Sequence, residues 1–110
     1  MISIETFHSN EGILGFQISG HAGWAEAGYD IVCAAVSVLA QSTVLGIDSV
    51  IGFPVDASFE SGFAHVRVQP NGSEDNRWEN VQVLLETALL AFQEIHEQYP
   101  KRVQIRKSRR

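Results

Sequence analysis

The chain has only one cysteine, Cys33, so no disulfide bond can form within it. Small secreted domains usually carry an even set of bridging cysteines, and a single thiol therefore indicates a reducing compartment. The first residues lack both a basic cluster and a long apolar core, which argues against a secretory signal or a transit peptide. We expect a cytoplasmic protein whose thiol stays reduced.

Long apolar runs are absent as well. The longest, residues 31–40, is interrupted by Ser37 and is far shorter than the roughly 20 residues that a membrane-spanning helix needs. The 110 residues, 45% of them hydrophobic, predict one compact domain with a single core and no membrane contact. We place this domain at residues 1–106.

Basic residues are scarce before position 101, where only Arg67 and Arg77 oppose 13 acidic residues, a net charge of −11. The last ten residues carry the other six Lys and Arg residues, which brings the whole chain to −5. An acidic body attracts basic partners, whereas a basic tail either contacts RNA phosphates or stays solvated. We assign residues 107–110 to a basic C-terminal tail and leave these two roles open.

The hydrophobic pattern predicts seven elements in the order ββαββαβ. Alternating apolar and polar residues predict five strands, over residues 2–7, 13–18, 56–60, 63–69 and 102–106. A first helix begins at Asp30, runs to about residue 46, and is apolar on most sides, so it should be largely buried. A second, amphipathic helix covers about residues 74–99. The fold class is therefore α+β, with an antiparallel or mixed five-stranded sheet packed against two helices.

The candidate site centres on Cys33, which follows the predicted N-cap Asp30 by three residues. The unpaired N–H groups and the dipole of a helix start favour a thiolate, and these N–H groups, especially that of Cys33, can stabilise an oxyanion. His21 follows shortly after the end of the second strand and is the candidate general base. Cys33, Ser37 and Gln41 recur every four residues and form the one polar stripe of this helix.

Each of these residues also has a structural interpretation. A free cysteine on an apolar helix is often a small core residue, and a lone histidine is often only hydrogen-bonded. Asp30 either orients His21 or simply caps the helix. The histidines and Cys33 have no metal-ligand spacing, and a thioredoxin-like redox site would need a second cysteine, so neither a metal nor a cofactor is expected.

The segment before the helix, residues 22–29, mixes small residues with aromatic ones and predicts a mobile loop. Gly23 and Gly28 lie near its ends. Its aromatic residues, Trp24 and Tyr29, either contact a ligand or anchor the loop.

Two segments, GHA at residues 20–22 and GYDIVCAAVS at residues 28–37, closely resemble the signature of the bacterial ribosomal-processing cysteine protease family, Prp. The resemblance implies that Cys33 is the nucleophile and His21 its general base. It also implies a flexible substrate loop over residues 23–29, with supporting roles for Asp30 and Ser37.

By the same resemblance, the chain would be a cysteine endopeptidase that needs no cofactor. Its partner would be the precursor of large-subunit ribosomal protein twenty-seven, from which it would remove an N-terminal extension near paired phenylalanines during ribosome maturation. Family members also form homodimers, to which the apolar face of the second helix would contribute. The competing interpretations are a non-catalytic module that contacts the ribosome or ribosomal RNA through the basic tail, and a redox sensor at Cys33.

Overall fold

The structure, a computed structural model, describes residues 1–20, 29–72 and 75–109, except for the side chains of Tyr29 and Asp30. Its elements are β1 (Ile2–Ser9), β2 (Gly12–Ser19), α1 (Tyr29–Leu45), a π-helical continuation of α1 (Gly46–Ile51), β3 (Asp56–Glu60), β4 (Phe63–Arg67), α2 (Arg77–Gln98) and β5 (Val103–Arg109). The predicted order ββαββαβ and the α+β class are confirmed.

The five strands form one mixed sheet in the order β3-β4-β2-β1-β5. The β1–β2, β2–β4 and β3–β4 pairs are antiparallel, whereas β5 runs parallel to β1. Parallel strands cannot be joined by a tight turn, and β1 and β5 lie at opposite ends of the chain, with α2 leading into β5. The mixed alternative is therefore the correct one, with β3 and β5 at the two edges.

The core lies between one face of the sheet and the inner faces of the two helices. Phe16 on β2 and Phe92 on α2 are fully buried, and their rings meet edge to face with centroids 5.1 Å apart. Ile4 and Val66 extend this apolar layer along β1 and β4. Burying a side chain of this size contributes roughly 1.5–3 kcal/mol, so the alternation of each strand fixes which face meets the helices.

The expectation that α1 is largely buried is wrong. Val32 and Val36 pack into the core, but Ile31, Val38 and Leu45 are 67%, 61% and 62% exposed. The sheet and α2 cover only one side of α1, and a helix that lies in an outer layer buries a stripe and not its whole circumference. Because α1 is apolar on most sides, these three residues, which are seven positions apart, form an exposed apolar stripe on its outer side.

The continuous helix Ile31–Ile51 is long and apolar enough to cross a membrane, with a mean hydropathy of 1.8, although the sequence suggested no such segment. The core helix of a globular protein meets the same criteria, and Val32, Val36 and Ile47 of this helix belong to the core. Only 28% of the apolar window is buried in the protein. One such helix is weak evidence for a membrane span. The exposed apolar side of this helix therefore needs another explanation.

The basic residues at positions 107–109, expected in a tail, belong to the sheet. β5 continues to Arg109, and its register places Lys107 opposite Thr6 and Arg109 opposite His8 on β1. Alternating polar residues pair as well as apolar ones at a sheet edge, because the ladder is made by backbone groups.

Candidate active site

Cys33 lies on α1 at a cleft of about 480 Å³ between this helix and the tip of the β3–β4 hairpin. Its side chain is partly exposed, although it also packs against the core cluster. A thiol that is only a core residue would be enclosed, whereas this one borders an open space that can admit another molecule. The location of Cys33 therefore favours the chemical interpretation over the structural one.

The polar stripe of α1 lines the same cleft. Ser37 and Gln41 follow Cys33 at successive turns along the wall, and the Gln41 Nε2 group donates a hydrogen bond to Ser37 Oγ at 2.8 Å. By contrast, the hydroxyl of Thr43 on another side of α1 donates to the carbonyl of Leu39 at 2.7 Å. The stripe thus presents a hydroxyl and an amide beside the thiol, as its four-residue spacing predicts.

The end of β2 forms part of the opposite wall. Gly20 lines the cleft, and its N–H donates to the Gly62 carbonyl at the hairpin tip at 3.0 Å. Gly20 has a φ of +91°, and an added Cβ would collide with the carbonyl oxygen of Met1. Only glycine fits this backbone without strain, so the β2 end is tied closely to both the hairpin and the N-terminus.

The remaining walls are mostly apolar. They are formed by β-sheet residues of the core face and by the hairpin tip, namely Ile2, Ile18, Phe59, Phe63 and Ala64, together with Val36 of α1. Among the described lining residues, Glu60 carries the only formal charge. A mostly apolar cleft with a few polar groups is typical of a site for a small ligand or a peptide side chain.

None of the histidines that the structure describes lines this cleft. Their ring nitrogens have partners elsewhere: His8 with the Thr6 hydroxyl at 2.8 Å, His65 with the Gln17 side-chain oxygen at 3.4 Å, and His96 with the Val103 carbonyl at 2.6 Å. His21 lies outside the described residues, directly after Gly20 in the sequence. Over residues 1–20, 29–72 and 75–109 there is also no cluster of three or more metal-binding side chains.

The pKa of His8 is lowered from its ordinary value of 6.5, first by partial burial and then by the positive charges of Lys107 and Arg109. Both effects disfavour the imidazolium form. This histidine lies near the end of β1 and takes no part in the cleft.

The start of α1 differs from the prediction. The helix begins at Tyr29, so Asp30 lies inside the first turn and not at the cap position, and Cys33 is the fifth helical residue. Only the first four N–H groups of a helix lack intrahelical partners, so the N–H of Cys33 is engaged within the helix. The expectation that this N–H is an open oxyanion donor is therefore wrong, and the helix dipole acts on the thiol from a full turn away.

The predicted substrate loop falls mostly outside the described residues. Gly23, Trp24 and Gly28 lie there, as does His21, and nothing in the structure tests their roles. The backbone of Tyr29 is the exception, because it belongs to α1 and not to the loop.

The hairpin tip, residues 59–63, is a part of the site that the sequence pattern does not predict. The Ser61-Gly62 turn is evident in the sequence, but its place beside Cys33 depends on the pairing of β4 with β2, which brings Phe63 opposite Ser19. Strand pairing between segments so far apart is set by the whole sheet and not by local sequence. The polar and apolar residues of the tip give no local signal of a site.

Comparison with known proteins agrees with the sequence signature. The profile of the family described as "Cysteine protease Prp" matches residues 1–104. The chain belongs to this family of cysteine proteases. The resemblance noted at residues 20–37 is confirmed, as is the enzyme class that it implied.

Curated Prp proteins align along most of this chain. The ribosomal processing cysteine protease Prp of Staphylococcus aureus is 27% identical over 106 residues, which cover 96% of this chain and 97% of that protein. The Bacillus subtilis protein of the same name is 26% identical over 98 residues, or 87% of each chain.

Solved structures show the same fold. The S. aureus Prp structure in complex with a substrate peptide superposes with a TM-score of 0.82 at 26% identity, covering 98% of this chain and 100% of that one. SMU.848 from Streptococcus mutans superposes with a TM-score of 0.84 at 28% identity, covering 100% and 96% of the two chains. The fold that carries the Cys33 cleft is therefore the fold of the Prp proteases.

Proposed function

We propose that this chain cleaves a peptide bond with Cys33 as the nucleophile and His21 as the general base. The observation that carries the proposal is that Cys33 and Gly20 line one cleft. His21 directly follows Gly20 in the sequence, and this adjacency to a lining residue supports its assignment as the base. The other histidines have partners away from the cleft, which leaves His21 as the base that the sequence offers.

In this mechanism, His21 takes the proton of the Cys33 thiol, and the thiolate attacks the scissile carbonyl carbon. The tetrahedral intermediate collapses to a thioester, and the imidazolium gives its proton to the departing amine. A water molecule, activated by the same imidazole, then hydrolyses the thioester and restores the thiol. The Ser37 hydroxyl and the Gln41 amide supply hydrogen-bonding groups along this wall, in place of the N–H of Cys33.

Asp30 has a supporting role under this proposal. It lies in the first turn of α1, where the helix dipole stabilises a carboxylate. From there it either holds the imidazole of His21 or only stabilises the helix start. Trp24 and Tyr29 would complete the apolar side of the site, with Gly23 and Gly28 giving the intervening segment freedom to close over a peptide.

We further propose that the substrate is the precursor of large-subunit ribosomal protein twenty-seven, whose N-terminal extension is removed during ribosome maturation. The relatives carry ribosomal processing in their names, and the S. aureus structure holds a substrate peptide. The apolar cleft suits aromatic side chains such as paired phenylalanines. A ribosomal protein is basic, and the acidic body before position 101 attracts it.

The test is to incubate the purified chain with this precursor and to determine the new N-terminus by mass spectrometry. We expect one cut within the extension, abolished in Cys33→Ala and in Cys33→Ser. Cys33→Ser keeps the size of the side chain and so controls for packing. Cleavage by either variant at the parental rate would show that Cys33 is not the nucleophile.

A cytoplasmic homodimer is also part of this proposal. The second helix, expected to contribute its apolar face, uses Leu85 and Phe92 of that face in the core of the monomer. The outer stripe of α1, defined as Ile31, Val38 and Leu45, is 67%, 61% and 62% exposed with respect to the described residues. Residues seven positions apart on one helix can pack against the same stripe of a second copy.

A second candidate function is contact with the ribosome through β5. Arg106, Lys107 and Arg109 are fixed on an edge strand and not on a solvated tail, which reduces the entropy lost when they bind a phosphate backbone. This contact is compatible with proteolysis, and it would also serve a non-catalytic module. Binding to ribosomes that falls steeply with salt would support it.

A further inference from the structure

Glu60 is one of the residues that line the Cys33 cleft. It is the last residue of β3 and pairs with Phe63 across the two-residue turn. The hydrogen bond from Gly20 to Gly62 fixes this turn against the end of β2. Glu60 is therefore part of a hairpin tip that is fixed against the end of β2 and that lines the same cleft as Cys33.

The charge of Glu60 is not neutralised by any residue that the structure describes, since no ion pair or hydrogen bond joins its side chain to them. Glu5 on the open face of the sheet is a contrast, because its carboxylate binds the Arg106 guanidinium at 3.1 Å and also accepts a bond from the Ser108 hydroxyl. Glu60 instead lines the cleft together with the apolar residues Phe59 and Phe63. A carboxylate next to apolar surface suits a lysine or arginine, whose aliphatic stem packs while its cationic head reaches the acid.

We propose that Glu60 is a specificity-determining residue that binds a lysine or arginine side chain of the substrate near the scissile bond. This inference rests on the proposed protease function and adds the charge of the preferred peptide to it. Glu60 contacts the peptide at a distance from the reacting atoms, so it acts mainly on substrate affinity and on KM.

The experiment starts from a cleavable peptide in which every lysine and arginine is replaced by glutamine. Single lysines are then returned, one at a time, at the four positions on each side of the scissile bond. We expect one position at which lysine raises kcat/KM in the parent enzyme by roughly twofold to fivefold, the usual range for a partly exposed ion pair. In Glu60→Gln this lysine-to-glutamine ratio should fall to about one, and in Glu60→Lys glutamate should be preferred at the same position.

The control is Glu94→Gln, which removes an exposed carboxylate of α2 that does not line the cleft and should leave the ratio at its parental value. If the parent and Glu60→Gln share the same lysine preferences at all eight positions, the proposal is wrong while the protease function stands. The peptides are also titrated against the Cys33→Ala protein with and without Glu60→Gln, by fluorescence anisotropy. If no peptide is cleaved, the protease function fails, and this titration still decides whether Glu60 selects a cationic side chain.

Discussion

The two edges of the sheet differ in both charge and surroundings. The β3 edge carries Asp56 and Glu60 and ends at the cleft that Cys33 lines. The β5 edge carries three basic residues, of which Arg106 binds Glu5 at 3.1 Å and Arg109 donates to the Asn10 side chain at 3.0 Å. One edge is thus an acidic border of an open site, and the other is a basic strand held by its neighbours.

This difference suggests that the two edges of the sheet have different functions. Chemistry needs a cleft, a nucleophile and a positioned base, and only the β3 side offers a cleft with a thiol among the described residues. Attachment to a polyanion needs only fixed positive charges, which the β5 side supplies. Variants at one edge should therefore change cleavage of a short peptide, whereas variants at the other should change only binding to ribosomes.

The largest effect is expected for His21→Ala, which removes the proposed general base. Loss of the general base should lower kcat for a short peptide by roughly a hundredfold or more. The rate at which iodoacetamide alkylates Cys33 at neutral pH should fall as well, because fewer thiols are ionised without the imidazole. Unchanged turnover with a normal circular dichroism spectrum would show that His21 is not the general base.

Gly20→Ala should also disturb the Cys33 cleft, but by straining the backbone and not by removing a reactive group. The positive φ and the collision with Met1 should cost about 3 kcal/mol in the free energy of unfolding, measured with urea, and cleavage should fall with the displaced wall. Gly52→Ala is a matched control, since its φ is +76° but no atom lies within 4 Å of the added Cβ. It should lose only about 1 kcal/mol. Equal losses in the two variants would mean that Gly20 is needed only for its backbone conformation.

The sequence predicts the individual elements of the molecule better than their arrangement in space. Element order, the hairpin at Ser61 and the polar stripe from Cys33 to Gln41 follow from short-range periodicity, which depends on residues within one or two turns. The position of the hairpin tip beside Cys33 does not, because it needs the non-sequential strand order of the sheet.

Surface and boundary features are also poorly predicted from sequence. A helix that is buried on all sides and a helix that is buried on one side can have the same apolar composition. Composition therefore overestimates the burial of α1, in which Val38 and Leu45 are exposed. The helix starts at Tyr29 and not at Asp30, which is a small shift in position but changes the role of the Cys33 N–H. The charged end of β5 resembles a tail in sequence because edge strands tolerate residues that a central strand excludes.

The basic edge is tested by Lys107→Glu, which reverses an exposed charge on β5. We expect affinity for ribosomes to fall by up to about tenfold at low salt, and the slope of log affinity against log salt to decrease by about one for each phosphate that the variant no longer binds. Cleavage of a short peptide should not change, because Lys107 is not among the residues of the cleft. Parental salt dependence in this variant would show that Lys107 binds no ribosomal phosphate.

The outer stripe of α1 gives a further test, since it belongs to neither edge. Val38→Glu places a charge at the centre of the stripe, where Val38 is 61% exposed, and should shift a homodimer towards monomer in sedimentation experiments. Val50→Glu is the control, because Val50 is 83% exposed on the π-helical segment and outside the stripe. Both variants should fold. A dimer that survives Val38→Glu would have to use another surface.

The smallest effect is expected at His8, where the β5 edge alters the chemistry of a β1 side chain. Burial, followed by the charges of Lys107 and Arg109, lowers the pKa of His8 in the folded state below the ordinary 6.5 that applies to the unfolded chain. The unfolded chain therefore binds a proton first as pH falls through 6.5, so this histidine contributes stability at pH 7.5 that is lost at lower pH. We expect the urea midpoint of the parent protein to drop more between pH 7.5 and pH 5.5 than that of His8→Gln, which retains a partner for Thr6. Parallel curves for the two proteins would show that folding does not lower the pKa of His8.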